Sequence, residues 1–229
     1  IISVGCALPD LEGTVELARQ GPEVRAAIGI HPNEAALQAG HLETSPDGHD
    51  HFQRDHHVPL IEAVERVSHL ADDPMVVAIG ESGLDYFRTA GPGREAQAES
   101  LQMHLEIARS HDLPLQVHVR DAYPDAIGIL EDPAWSQIRV VFHCFTGDLQ
   151  AARQIADRGW YASFAGPITY PANHELREAL GEIPRDRVLV ETDAPYLTPA
   201  PYRGAPNASY VMPHTVRQIA ELWDVALED

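Results

Sequence analysis

The feature that most constrains the fold is a short apolar run that stops at a residue able to bind a metal. Residues 76–80 are too few for a helix, and Glu81 follows them directly. Three more apolar runs downstream lead in the same way to His118, His143 and Asp193. Because parallel strands end together at one edge of a sheet, the pattern predicts four ligands gathered at that edge.

The chain is expected to form a parallel α/β sheet. Seven predicted strands, the first at residues 1–5 and the last at 188–192, are each followed by a helix or a loop. Their spacing predicts a TIM (β/α)8 barrel whose first strand lies upstream of Ile1. A doubly wound open sheet is the alternative, and it also places ligands at the carboxyl ends of strands.

At 229 residues the chain is predicted to be one domain, residues 1–229, truncated at its N-terminus and shortened at its C-terminus. Residues 38–59 interrupt the pattern, because they are polar and carry five histidines. We interpret this segment as a solvated loop, with a lid or adventitious metal binding as alternatives.

The charge limits which partners the chain can hold. The net charge is -19, and all 16 basic residues are arginine, which disfavours a broad electrostatic contact with duplex nucleic acid. An anionic substrate would be held locally, and bound divalent cations can supply the positive charge. Cys6 and Cys144 are too few for a disulfide framework, which favours a cytoplasmic location, and no run is apolar enough to span a membrane.

Histidine nitrogens and carboxylate oxygens are typical ligands of Zn and Mn, with Mg less suited to imidazole. A single such residue is more often a cap or a rim residue, but four at equivalent strand ends favour a metal site. Further residues are interpreted as lining the substrate pocket: His31, Asp85, Arg120, Arg203 and Asn207. For two of them an alternative is open, because Asp85 suits an Asx-turn and Arg120 can pair with a strand-end carboxylate.

These residues stand in motifs that resemble the TatD family of metal-dependent hydrolases. The matching segments occur in the family's order over nearly the whole chain, at residues 29–32, 80–86, 97–108, 117–122, 142–147, 191–197 and 203–204. The chain departs from the family pattern in three places. The HxH pair of the first strand is absent, Leu101 and His104 replace phenylalanine and glutamine, and Ala208-Ser209 replaces an acidic-proline pair.

The resemblance implies an amidohydrolase-like barrel with two divalent ions (Mg, Mn or Zn) and a 3′–5′ exodeoxyribonuclease activity. By motif, Glu81 would bridge the ions, His118 and His143 would hold one, and Asp193 would hold the other and act as general base. A metal-activated hydroxide would cleave the phosphodiester, with DNA as the partner and a monomer favoured.

Two other functions remain open on the sequence. The same centre can hydrolyse a small ester, lactone or amide, which suits the negative charge of the chain better than DNA does. A barrel that binds metal without catalysis is the second alternative.

Overall fold

The computed structural model describes residues 1–42 and 44–227. Residue 43, in the predicted loop, therefore lies outside the described residues, as do residues 228 and 229. The chain divides into two compact units, Ile1–Val141 and Phe142–Asp229.

In the first unit every strand but the last is followed by one or two helices. In chain order its elements are β1 (Ile2–Gly5), α1 (Leu8–Arg19), β2 (Arg25–Ile28), α2 (Pro32–Gln38), α3 (Leu60–Leu70), β3 (Val76–Asp85), α4 (Gly91–Ser110), β4 (Leu115–Arg120), α5 (Tyr123–Leu130) and β5 (Val140–Phe142), which ends at the first residue of the second unit.

The second unit continues the alternation, with a helix after each strand. Its elements are α6 (Leu149–Asp157), β6 (Tyr161–Phe164), α7 (His174–Glu182), β7 (Val188–Val190) and α8 (Met212–Trp223). The strands β6 and β7 pair in parallel, with Ala162 opposite Val188. The seven predicted strands are thus all present among the described residues.

Strand order in the first unit decides between the two predicted sheet types. The strand β2 pairs in parallel with β1 and with β3, and β3 pairs in parallel with β4, so these four strands lie in chain order. A doubly wound sheet reverses its strand order at a switch point. The four strands show no reversal, which is the order of a barrel.

The strand that carries Glu81 is longer than predicted. The sequence predicted that it ends at Glu81, but β3 continues to Asp85, with a register shift between Ile79 and Ser82. Two glycines allow β3 to run close to β4, because a Cβ on Gly80 would lie 2.2 Å from the Gln116 carbonyl oxygen and a Cβ on Gly83 would lie 2.0 Å from that of His118. Both also have positive φ, which favours glycine.

Apolar side chains on the helix faces and strands make the core of each unit. In the first unit Leu11, Leu101 and Leu115 are fully buried, and each contributes roughly 1.5–3 kcal/mol relative to an exposed side chain. In the second unit Phe145 and Phe164 are buried, with ring centroids 5.7 Å apart in an edge-to-face arrangement.

None of the helices in the described part of the chain is both long enough and apolar enough to cross a membrane.

We expect Gly83→Ala to lower the free energy of unfolding by roughly 3 kcal/mol or more, because the new Cβ would overlap the His118 carbonyl oxygen and φ is +149°. Urea unfolding checks this. The matched control is Gly128→Ala in α5, where a Cβ meets nothing within 4 Å and stability should rise by about 0.5–1 kcal/mol. Equal stability of the two variants would contradict the close approach of β3 and β4.

Candidate metal centre

Glu81 is the centre of a cluster at the carboxyl end of the sheet in the first unit. Its side chain extends from β3, and the residue is only 8% exposed. The Nδ1 atom of His118, on β4, lies 2.8 Å from Glu81 Oε1. The Nε2 atom of His31, which follows β2, lies 3.7 Å from the same oxygen. Ligand atoms of the three residues lie within 4.8 Å of one another.

The carboxylates around His118 favour its charged form. Burial alone would lower the pKa of His118, but hydrogen bonding to Asp85 and Glu81 and their negative charges outweigh it and raise the pKa to about 9. The cluster therefore holds a positive charge on His118 at neutral pH when no other cation is present.

Asp85 is placed to orient His118 and is itself held by a buried network. Its Oδ2 atom lies 3.4 Å from His118 Nε2 and accepts a hydrogen bond from the Asn33 side chain at 3.3 Å. Its backbone N–H donates to Gln97 Oε1, and its Oδ1 accepts from the backbone N–H of Arg88. Burial raises the pKa of Asp85, but His118 outweighs it and leaves the pKa below its usual range. Asp85 is thus both a turn-forming residue and a partner of His118.

His31 lies closer to Glu81 and His118 than the sequence indicated, because sequence reasoning gave it only a pocket-lining role. Its ring centroid is 4.5 Å from that of His118. Its Nδ1 accepts the backbone N–H of Asn33 at 3.1 Å and so caps α2. In the neutral ring Nε2 therefore carries the proton. In this tautomer His31 can donate a hydrogen bond from Nε2, as a substrate-binding residue requires.

Cys6 also belongs to this cluster, and sequence reasoning missed it. Its Sγ atom, just beyond β1, lies 3.4 Å from Glu81 Oε2, the oxygen not used by His118. Burial and the negative charge and hydrogen bond of Glu81 raise the pKa of the Cys6 thiol well above its usual value. The thiol therefore stays protonated and donates a hydrogen bond to the carboxylate. Its position after the first strand was the available signal.

A second cluster lies in the second unit, where His143 follows β5. Its Nδ1 lies 3.1 Å from Glu191 Oε2, and its Nε2 lies 3.3 Å from Asp193 Oδ1. The strand β7 stops at Val190, so Asp193 stands three residues beyond the strand and not at its end as predicted. Pairing of His143 with Asp193 differs from the assignment by motif, which gave these residues to different ions. Glu191, which the sequence analysis did not select, is the further carboxylate partner.

The remaining predicted substrate residues have distinct environments. Arg120 is exposed, with its guanidinium carbon 3.7 Å from the ring centroid of Phe87, and Arg203 is exposed over the ring of Tyr170 at 4.5 Å. The interpretation of Asn207 as a substrate donor was wrong. It is buried and donates to the backbone carbonyls of Thr192 and Tyr196, so it braces the segment around Asp193.

The donors of the two clusters fit a divalent cation. Each cluster combines imidazole nitrogen with carboxylate oxygen, the donor set of Zn and Mn sites. The raised pKa of His118 shows that the carboxylates around it attract positive charge. Glu81 with His118, and Asp193 with His143, are therefore the residues suited to hold metal.

A comparison with protein families identifies the chain's relatives. The profile of the family described as TatD related DNase matches residues 1–229. The chain belongs to this family. The resemblance drawn from the sequence motifs is thereby confirmed, and with it the assignment to the metal-dependent hydrolases.

Relatives in the TatD family cover different shares of this chain. The uncharacterized metal-dependent hydrolase YabD of Bacillus subtilis is 33% identical over 229 residues, which are 100% of this chain and 81% of YabD. YcfH of Escherichia coli is 40% identical over 72% of this chain and 62% of its own length. The 3′-5′ ssDNA/RNA exonuclease TatD of Salmonella typhimurium is 32% identical over 97% of this chain and 79% of its length.

A solved structure agrees with the fold class. The TatD homologue YJJV of Escherichia coli superposes with a TM-score of 0.80 at 27% identity, covering 97% of this chain and 78% of YJJV. The predicted α/β fold of the TIM-barrel hydrolase type is therefore confirmed.

His104 departs from the TatD motif but keeps a clear structural role. This fully buried residue of α4 accepts the backbone N–H of Ile30 through Nε2 at 3.0 Å, and its Nδ1–H donates to the Ser100 carbonyl at 2.7 Å. Burial lowers the pKa of His104 to about 4, although the bond to Ser100 opposes the shift. The neutral ring thus fixes the backbone just before His31.

We expect Asp85→Asn to weaken the affinity for a divalent ion about 10- to 100-fold, because an amide is a poorer partner for the Nε2–H of His118. Competition against a chromophoric chelator measures this. Asp125→Asn is the control, since Asp125 bonds only to the exposed Tyr86 hydroxyl among the contacts described here. Equal losses in both variants would contradict the positioning role of Asp85.

We expect His104→Gln to reduce the loss of stability in acid. The pKa of His104 is about 4 in the folded chain and about 6.5 when unfolded, so the unfolded chain binds an extra proton between these values. The contribution of neutral His104 is complete above pH 6.5 and is lost as pH falls toward 4, by up to about 1.4 kcal/mol per pH unit. Glutamine does not titrate in this pH range, and its side-chain oxygen can still accept the Ile30 N–H.

Urea unfolding of wild type and variant between pH 7 and 4, with a chelator present, measures the difference in slope. The exposed His69 supplies the control variant His69→Gln. Parallel stability curves for wild type and His104→Gln would contradict the assignment of a neutral His104.

Proposed function

We propose that the chain hydrolyses phosphodiester bonds of DNA as a metal-dependent 3′–5′ exodeoxyribonuclease. The observation that carries the proposal is the carboxylate–histidine cluster of Glu81, His118 and Asp85 on β3 and β4 of a TatD family member. A relative with 32% identity is named a 3′-5′ ssDNA/RNA exonuclease, which supports this substrate class.

In this proposal two divalent ions, Mg, Mn or Zn, serve the reaction. Glu81 and His118 would hold metal in the first unit, and His143 and Asp193 would hold metal in the second. A bound divalent ion would lower the pKa of a water molecule and offset the negative charge of phosphoryl oxygens. Asp85 orients the His118 ring through Nε2, and Glu191 orients the His143 ring through Nδ1. The other nitrogen of each ring would face the metal.

The proton and the phosphate are handled by other side chains. The carboxylate of Asp193 is 27% exposed and can accept the proton of the attacking water. His31 presents its Nε2–H toward the cluster and donates to a phosphate oxygen. Arg120 and Arg203, both exposed and each stacked on an aromatic ring, pair with phosphate through their planar guanidinium groups.

The net charge favours action at a strand end over binding along a duplex. At -19 the protein repels an extended polyanion, and the chain has no lysine to offset this. Only the few phosphates close to the ions and arginines are attracted. An exonuclease needs no wider contact, because it removes one terminal nucleotide at a time.

We expect Glu81→Gln to lower metal-dependent cleavage of a DNA oligonucleotide by at least about 100-fold, because the neutral amide is a weak metal ligand. Oligonucleotides labelled at the 5′ end should show a ladder shortening from the 3′ end. Glu62→Gln, on the exposed face of α3, is the control and should retain activity. Unchanged turnover in Glu81→Gln would refute the role of Glu81 in metal-dependent cleavage. Shortening of the oligonucleotide from its 5′ end would refute the proposed 3′–5′ direction.

A second candidate function is hydrolysis of a small ester, lactone or amide by the same residues. The net charge of -19 favours it, because a small neutral substrate is not repelled. Assaying esters beside oligonucleotides separates the two functions. Stoichiometric metal uptake without turnover of either substrate would instead indicate a binding protein.

A further inference from the structure

A third group of metal-ligand side chains lies outside the centre described above. It consists of Glu34 on α2 and of His56 and His57, which end the loop between α2 and α3. Ligand atoms of these residues lie within 4.8 Å of one another. The side chain of His57 is fully buried, whereas those of His56 and Glu34 are 26% and 21% exposed. The group is thus enclosed on one side and accessible on the other.

The distances within this group are close to those between the ligands of one zinc ion, and one of the two is shorter than that spacing. The Nε2 atoms of His56 and His57 lie 3.3 Å and 2.9 Å from the same oxygen, Glu34 Oε2. Ligands about 2.0–2.2 Å from a tetrahedral ion stand about 3.3–3.5 Å apart. An ion therefore needs only small side-chain movements to enter. Two imidazoles and a carboxylate leave a fourth position for water.

One hydrogen bond must change for the ion to bind. The Nδ1 atom of His57 accepts the backbone N–H of Arg54 at 2.8 Å, so in the neutral ring Nε2 carries the proton and donates to Glu34. Metal binding at Nε2 moves that proton to Nδ1, which then no longer accepts the Arg54 N–H. Arg54 is exposed, so its N–H can turn to water. Bonds from three side chains to the ion replace the hydrogen bond that is lost.

We propose that Glu34, His56 and His57 form a structural site for a divalent transition metal such as zinc, separate from the Glu81 cluster. The ion fastens the end of the histidine-rich loop to α2. Asp47 already ties an earlier part of the loop to Arg88, with its Oδ2 atom 3.1 Å from Arg88 Nε. Because α2 begins next to His31, fastening the loop also steadies that side of the hydrolase centre.

Limited trypsinolysis reports on this loop directly. Arg54 is the only arginine between Arg25 and Arg66, and this stretch has no lysine, so cleavage by trypsin after Arg54 yields a diagnostic pair of fragments. Trypsin needs several residues around the bond in an extended form, and these include His56 and His57. In zinc at about ten times its dissociation constant, wild type should be cut after Arg54 about tenfold more slowly than in chelator.

His57→Gln and His56→Gln should each lose this protection, and His51→Gln, altered in the same loop, should keep it. The variants share one zinc concentration, so any effect of zinc on trypsin appears in all of them. Glu81→Gln should also remain protected, which separates this site from the hydrolase centre. The proposal is overturned if zinc slows cleavage of His57→Gln and His56→Gln by as much as it slows cleavage of wild type. It is equally overturned if wild type gains no protection, or if His51→Gln or Glu81→Gln loses it.

Discussion

The structure depends on one electrostatic constraint, a nearly buried carboxylate that must be compensated. Glu81 is 8% exposed and extends from β3, whose backbone lies very close to that of β4 at Gly80 and Gly83. Burying an ionised carboxylate is costly unless a positive charge or strong donors accompany it. His118 supplies that charge here, and the thiol of Cys6 donates to the other oxygen. A metal ion satisfies the same requirement with a larger charge.

The same requirement explains why so many polar groups lie buried behind the centre. Asp85 faces His118 and is fixed by Gln97 and Asn33, which are anchored on α4 and α2. His104, also on α4, holds the backbone before His31. Each helix thus contributes hydrogen bonds as well as apolar packing. A ligand set held in this way loses little conformational entropy when a metal or substrate binds.

Much of the fold was predictable because its apolar pattern is strong. All seven predicted strands are present among the described residues. The main error concerned β3, which continues four residues past Glu81. Glycine normally marks the end of a strand, but here Gly83 is required by the contact with β4. A local rule failed because the reason for the glycine lies in another strand.

Four candidate metal ligands were selected from the sequence alone, because apolar runs that stop at histidine or carboxylate indicate ligands near the ends of strands. Their family was recognisable as well. Only the tertiary structure decided how the polar groups are shared. In the structure His31 and Cys6 lie next to Glu81, and Glu191 and Asp193 lie next to His143. Asn207 donates hydrogen bonds to the backbone around Asp193. These contacts join residues far apart in the sequence. They follow from tertiary packing, and no local sequence pattern encodes them.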